Sequence, residues 1–227
     1  MCVCMSKELP TLQVINPQPT ERKNKMKRFL TSCVAAITLG LLTFNTQAKE
    51  IDMTNSKTLV VYFSRTGEQY SVGNITEGNT AIIAKMIAEQ TKADLFEVKV
   101  KNDIYPTAYK TLTEVALDEK KANARPEIIG DVANFADYDV VFIGTPNWWA
   151  DMPMAMYTFM EAHDWTGKKV VPFVTHEGSG LSSIPSKIKS TTKADVLNGL
   201  AIYGHVAQNS REEAKEDVTK WLKKLGF

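Results

Sequence analysis

Three short stretches of this 227-residue sequence concentrate residues that could do chemistry, and each follows an apolar run. The first, Ser64 to Thr80, offers the hydroxyls of Ser64, Thr66 and Thr80 and two glycines, Gly67 and Gly78, ahead of a helical pattern. Hydroxyls and unpaired N–H groups at a helix start bind a phosphate with help from the helix dipole, without needing lysine. This loop alone also allows a plainer role, a strand-to-helix turn in which Asn79 or Thr80 only caps the helix. A nucleotide P-loop is excluded because the Gly-Lys-Ser/Thr end is missing. The second stretch, Thr145-Pro146-Asn147-Trp148-Trp149, places two indole rings after a strand, where flat surfaces suit stacking on a planar ligand. Trp148 reads as filler between sheet and helix, and Trp149 as the better ring for a ligand. The third, His176-Glu177-Gly178-Ser179-Gly180, combines an imidazole, a carboxylate and glycines that let backbone N–H groups approach a ligand. Its Gly-Ser-Gly is at most half of a dinucleotide fingerprint, since Ser183 stands where the last glycine belongs. His163 and His205 have no companions in sequence and read as structural or exposed; no Ser/His/Asp order and no metal-ligand spacing emerges.

The elements that must position these loops are legible from periodicity. Thr58 to Phe63, Asp139 to Gly144 and Lys169 to Thr175 are apolar, β-branched runs of the kind buried on both faces of a sheet. Ala93 to Val100 and Asp195 to Ile202 complete five strands. Helices are predicted from Thr80 to Gln90 (Ile82, Ile83, Met86 and Ile87 on one face), from Tyr105-Pro106 to about Ala122, from Pro153 to Met160, around Ser183 to Ile188, and from Ser210 to Leu225. In the last, Ser210 is the expected cap, with Glu212 and Glu213 in the first turn. Alternating strands and helices predict an α/β, doubly wound, five-stranded parallel sheet. Its ligand belongs beyond the carboxyl ends of the strands, which is where all three loops fall.

The N-terminal region has a different character. Residues 1–25 read as an unstructured extension upstream of a second start at Met26. Residues 26–48 combine Lys27 and Arg28, an apolar core of 16 residues from Phe29 to Phe44, and small residues to Ala48, which is the pattern of a cleaved signal peptide and implies a periplasmic or secreted product. The core falls short of the ~20 residues that span a bilayer, so no stable membrane insertion is expected after cleavage. Lys27-Arg28 only approaches a twin-arginine signal, and Sec export is favoured. Cys2, Cys4 and Cys33 all precede Ala48, so the mature chain, residues 49–227, would hold no disulfide, thiol nucleophile or cysteine-bound metal. Cleavage leaves 21 basic against 24 acidic residues, a net charge of −3 in place of +1, which gives nucleic-acid binding no support.

With YFSRTG followed later by GNT, then GTPNWW, then THEGSG, each after its strand, the sequence resembles the flavodoxin-like family of FMN-binding proteins over about Thr58 to Phe227. The resemblance implies the strand order 2-1-3-4-5 and a split phosphate loop: Thr66-Gly67 and Asn79-Thr80 look like the two halves of one motif separated by the inserted Glu68 to Gly78. It further implies that Ser64, Thr66, Gly67, Asn79 and Thr80 hold the FMN phosphate, with Arg65 as an added charge the family does not require. Pro146, Asn147, Trp148 and Trp149 would line one side of the isoalloxazine, and His176, Glu177, Gly178, Ser179 and Gly180 its pyrimidine edge.

On this resemblance the flavin performs the chemistry and no side chain is catalytic; Glu177 is expected to tune the potential by repelling the anion formed on reduction. At ~4 Å and an effective dielectric of ~20 that repulsion is at most of order 4 kcal/mol. The expected activity is electron transfer to a redox partner protein or reduction of a small acceptor, with an NAD(P)H-dependent quinone-type reductase or a flavin-free binding module on the same fold as alternatives. The sequence leaves partner and oligomeric state open.

Overall fold

In the computed structural model the described residues are 52–103 and 105–227. The extension at 1–25 and the leader at 26–48 lie outside them. Among the described residues no helix is long and apolar enough to cross a membrane.

β1 (Thr58–Tyr62), β4 (Asp94–Glu97), β5 (Val140–Pro146), β6 (Lys169–His176), β7 (Asp195–Val196) and β8 (Leu200–Tyr203) form one parallel sheet in the order β4-β1-β5-β6, with β7 and β8 both on the far side of β6. Counting β7 and β8 as one interrupted strand, this is the expected 2-1-3-4-5 arrangement. β1 and most of β5 and β6 are buried, because helices cover both faces. One face carries Leu59, Val61, Val141 and Ile143 against α3 (Met154–Glu161) and α4 (Ile184–Thr192), through Met156, Phe159 and Ile188. The other carries Val60, Tyr62, Phe142 and Phe173 against α1 (Asn79–Thr91) and α6 (Arg211–Leu225), through Ile83, Ile87, Val218 and Leu222. Alternation along each strand feeds both cores at once.

The strand predicted over 195–202 is broken by its neighbour. Val170 pairs with Val196 and Phe173 with Leu200, so β7–β8 spends one residue more than β6 over the same span, a bulge around Leu197 to Gly199. The carbonyl of Val170 accepts the Leu197 N–H, and alternation therefore turns residue 172 to the same side. That residue is Pro172, which has no N–H to give the ladder, and the partner strand departs there.

Helix ends also differ from expectation. α2 (Tyr109–Lys121) starts four residues after Tyr105 and buries only Leu112 and Ala116. α4 runs on to Thr192. A short α5 (Gly204–Asn209) precedes α6, whose first turn does hold Glu212 and Glu213, but Ser210 makes no side-chain cap bond. The inserted Glu68 to Gly78, with Gly67 before it, folds as an antiparallel hairpin, β2 (Gly67–Gln69) and β3 (Gly73–Ile75), joined through Tyr70, Ser71 and Val72, with Ser71 and Gly73 in the left-handed region.

Gly144 shows how closely the central strands pack: a Cβ there would lie 2.0 Å from the Phe173 ring, which is itself buried against Phe142 and Trp221 in the same core. Gly144→Ala is expected to lower stability by about 1–3 kcal/mol, read as an earlier denaturant midpoint at unchanged slope.

Candidate functional site

Three loops meet at the carboxyl edge of the sheet, and the start of α1 is the centre of their meeting. Gly78 occupies the N-cap position and no side chain of the helix caps it. The cap comes from the end of β1, where Ser64 Oγ accepts the Ala81 N–H at 3.0 Å and keeps its own proton free for a further acceptor. Among the described residues the N–H groups of Asn79 and Thr80 have no acceptor. Neither Asn79 nor Thr80 is the side-chain cap. Thr80 Oγ1 shares a buried 2.8 Å hydrogen bond with Thr175 Oγ1, and Asn79 Oδ1 accepts Gln208 Nε2 at 2.9 Å. Gly78 is required by this closeness, since a Cβ would lie 2.1 Å from Ser64 Oγ and 2.5 Å from the Arg65 carbonyl oxygen.

Arg65 turns to another task. Its Nη1 donates to both carboxylate oxygens of Asp103, at 2.7 and 3.0 Å, its Nη2 donates to the carbonyls of Tyr105 and Pro106, and the guanidinium lies over the Tyr105 ring. It thereby ties down the chain that leads into α2. The hairpin does likewise: Glu68 N–H donates to the Thr107 carbonyl, and Glu68 Oε2 accepts the first N–H of α2, from Tyr109. Gly67, at φ +89°, is the hinge of this contact, where a Cβ would meet the Thr107 oxygen at 2.8 Å.

In the second loop Trp148 to Asp151 form a tight turn with both reciprocal backbone bonds, and its central residues, Trp149 and Ala150, both have positive φ. Such a turn is ordinarily filled by Asn and Gly, and non-glycine residues there carry strain of order 1–3 kcal/mol each. The surroundings hold it in place. Ala150 N–H donates to Asn147 Oδ1, Ser183 Oγ donates to the Ala150 carbonyl, and the Trp149 indole N–H donates to the Thr113 carbonyl. Beneath it the buried Asp151 carboxylate accepts from the Tyr157 hydroxyl, its neighbour's N–H and Lys187. Burial, with Asp151 adding to it, pushes the Tyr157 hydroxyl well above the usual phenol range. Asn147 joins the second loop to the third, its Nδ2 donating to the Gly180 carbonyl and Ser182 Oγ, each at 2.9 Å.

In the third loop His176 Nδ1 accepts the Gly178 N–H at 2.9 Å, which places the proton of the neutral ring on Nε2. Gly178 (φ +108°) and Gly180 (φ +57°) supply the left-handed backbone that this curl needs. Glu177 accepts the backbone N–H of His205 at the start of α5 and contacts His205 Nδ1, each at 2.8 Å.

The cleft enclosed by these loops measures about 280 Å³. It brings together Ser64, Arg65, Asn79 and Thr80 from the first loop, Pro146, Asn147 and Trp148 from the second, and His176, Glu177 and Ser179 from the third. Thr66, Gly67, Trp149, Gly178 and Gly180 lie outside its lining. Thr66 is exposed and faces a separate depression on the β4 side, Trp149 faces an adjoining cavity, and the glycines shape the backbone. Trp148 is packed edge-on against Phe63 and Tyr105, centroids 5.4 Å from each, so it is at once filler and wall.

Sequence reasoning missed Gln69, Tyr70, Tyr109 and Thr175, which also line the cleft. Tyr70 at the hairpin tip leans on Tyr109, ring centroids 5.7 Å apart, forming a second aromatic wall. The signal available was an aromatic residue within an insertion of mixed polarity. His205 is exposed as expected, yet it belongs to the site through Glu177. His163 is structural, its Nδ1 on the Phe159 carbonyl and its ring between Phe135 and Phe159. Among the described residues no group of His, Cys, Asp or Glu could hold a metal ion.

The fold is that of a doubly wound α/β protein with a cleft at the carboxyl edge of its sheet, where the start of α1, capped only by Ser64, lies beside two aromatic walls. Residues 57–225 match the family model described as flavodoxin, and the chain belongs to that family. Among solved structures it is similar to a protein from Bacteroides eggerthii provisionally described as a flavoprotein, at 28% identity and a TM-score of 0.57, covering 76% of this chain and 99% of that one. A protein from Bacteroides uniformis with the same description gives 29% and 0.55, covering 74% and 98%. A Lactobacillus acidophilus flavoprotein in complex with FMN gives 24% and 0.52, covering 68% and 97%. No curated protein matches.

The His176 ring is held below its ordinary pKa, first by burial and then by His205, with Glu177 opposing. The unfolded chain therefore takes up a proton here before the folded one does. The resulting stability is present above about pH 6.5 and is lost as pH falls from there through the folded value. His176→Asn is expected to flatten this acid-side fall, measured as Tm against pH relative to the wild-type chain.

Proposed function

We propose that this protein is an exported FMN-binding redox protein that carries electrons, or reduces an acceptor, through its bound flavin. The observation that carries the reading is the start of α1, with two free N–H groups, the Ser64 hydroxyl, and no acidic residue in the first turn. A phosphate monoester matches that donor set, which offers hydrogen bonds and a helix dipole in place of lysine. Gly78 supports the fit, because any side chain there would fill the space beside Ser64.

Ser64, Asn79 and Thr80 would hold the phosphate. Trp148 on one side and Tyr70 with Tyr109 on the other would flank the ring system, and His176, Glu177 and Ser179 would face its polar edge. The flavin supplies one- and two-electron chemistry when bound. The protein's own contribution is to orient it, to shield it from water with the aromatic walls, and to set the charge near its polar edge through Glu177 and His205. Support at the level of fold comes from the Lactobacillus protein crystallised with FMN. Export rests on the 26–48 pattern. A net charge of −3 for the cleaved chain is a weak field for docking a protein partner, which favours a small acceptor.

Incubating the purified protein with excess FMN and removing free flavin is expected to leave a yellow complex; a colourless product refutes the reading. Ser64→Ala is expected to weaken FMN by about tenfold or more, the ~1.5–3 kcal/mol of one hydrogen bond to a charged group, measured by quenching of flavin fluorescence. Glu177→Gln removes a carboxylate from the polar edge and should make the midpoint potential less negative. The shift should stay well below the 4 kcal/mol ceiling, because His205 already donates to that carboxylate. A potential equal to that of the unsubstituted protein rules Glu177 out as a tuning group.

A further inference from the structure

A side chain outside the cleft lining decides what Asn79 offers at the start of α1. Gln208, on α5, donates from Nε2 to the Glu77 carbonyl at 2.6 Å and to Asn79 Oδ1 at 2.9 Å. A backbone carbonyl only accepts, so the end of Gln208 that meets Glu77 must be its NH2 group. The same group reaches Asn79, whose facing atom must therefore be the oxygen. This relay sets the polarity of the Asn79 amide: the oxygen is turned to α5, and the NH2 group is left over.

Among the described residues Asn79 Nδ2 has no acceptor, yet it is not one of the fully buried polar atoms without a partner, so an incoming acceptor can reach it. It stands where the first and third loops approach each other. A Cβ on Gly204 would lie 2.3 Å from Asn79 Nδ2 and 3.0 Å from Glu177 Oε1, and Asn79 and Glu177 both line the cleft. The two carboxylates nearest this spot are already engaged. Glu77 pairs with Lys85 at 2.6 Å and Arg211 at 2.8 Å, and Glu177 is held by the backbone N–H and Nδ1 of His205. His205, Gln208 and Arg211 follow one another at three-residue spacing, so one short stretch of chain fastens the third loop, orients Asn79 and offsets the charge of Glu77.

We propose that Gln208 is a positioning residue: by fixing the Asn79 amide it makes Asn79 a donor to the phosphate of the ligand's tail. A side chain at 208 that cannot donate leaves the amide free to turn its oxygen towards the anion, exchanging attraction for repulsion. That the phosphate belongs to FMN rests on the flavin reading above, whereas the relay itself suits any phosphate monoester.

The test is a double-mutant cycle on the full chain, with the wild-type protein, Gln208→Met, Asn79→Ala and the double variant. Affinities for FMN and riboflavin are read from flavin fluorescence, and the affinity for inorganic phosphate from phosphorus NMR titration of the flavin-free protein. Circular dichroism confirms that each variant is folded, and Gln208→Ala replaces Gln208→Met if methionine prevents folding. Gln208→Met is expected to weaken FMN and inorganic phosphate by about tenfold, as the loss of one hydrogen bond to a charged group does. Riboflavin, which lacks the phosphate, should change by less than about twofold, and so should FMN when Gln208 is replaced in the Asn79→Ala background. Equal weakening of FMN and riboflavin, or a loss that persists undiminished without the Asn79 amide, would make Gln208 a packing residue and overturn the proposal. So would affinities unchanged by Gln208→Met. If inorganic phosphate binds with the expected pattern while FMN is not held, the relay stands and the flavin reading falls; if neither binds, both fall.

Discussion

Along the carboxyl edge of the sheet, helices begin with N–H groups that their own residues leave unsatisfied, and acceptors for them must come from elsewhere in the chain. Ser64, at the end of β1, serves α1; Glu68, in the inserted hairpin, serves α2; Glu177, after β6, serves α5. None of these helices has a side-chain cap of its own. The arrangement joins loop to helix at three points, and it fixes the loops that wall the cleft. At α1 the two donors left over, the N–H groups of Asn79 and Thr80, belong to residues that line the cleft, which is the donor arrangement an anion would need.

Most of the architecture was legible because it follows from local apolar runs. The three central strands and the alternating parallel architecture emerge from periodicity and connection rules, whereas the strand order came only with the family resemblance. What was illegible depends on contacts between distant segments. The break between β7 and β8 is set by Pro172 on a different strand, and the late start of α2 by Arg65, which holds Tyr105 and Pro106 out of the helix. Ser210 has the residue type of a cap and occupies the position, yet makes no cap bond.

The site shows the same division. Ser64, Asn147, Trp148, His176 and Glu177 could be named because they follow strands and carry distinctive chemistry. Arg65 and Thr66 sit in the same motif, but one is engaged with Asp103 and the other faces away, which residue type does not reveal. Trp148 both fills the core edge and lines the cleft, while Trp149, the freer ring, is carried by a left-handed turn to the adjoining cavity. Tyr70 and Gln69 could not be placed at all without knowing that the insertion folds back as a hairpin over the cleft.

That hairpin divides the labour of recognition. It leaves and re-enters the chain between Thr66 and Gly78, so Ser64 and the start of α1 meet from either side of it, while Gln69 and Tyr70 ride on the inserted piece. Changes in the length or residues of the hairpin can then alter one wall of the cleft while the start of α1 and the loops after β5 and β6 keep their geometry.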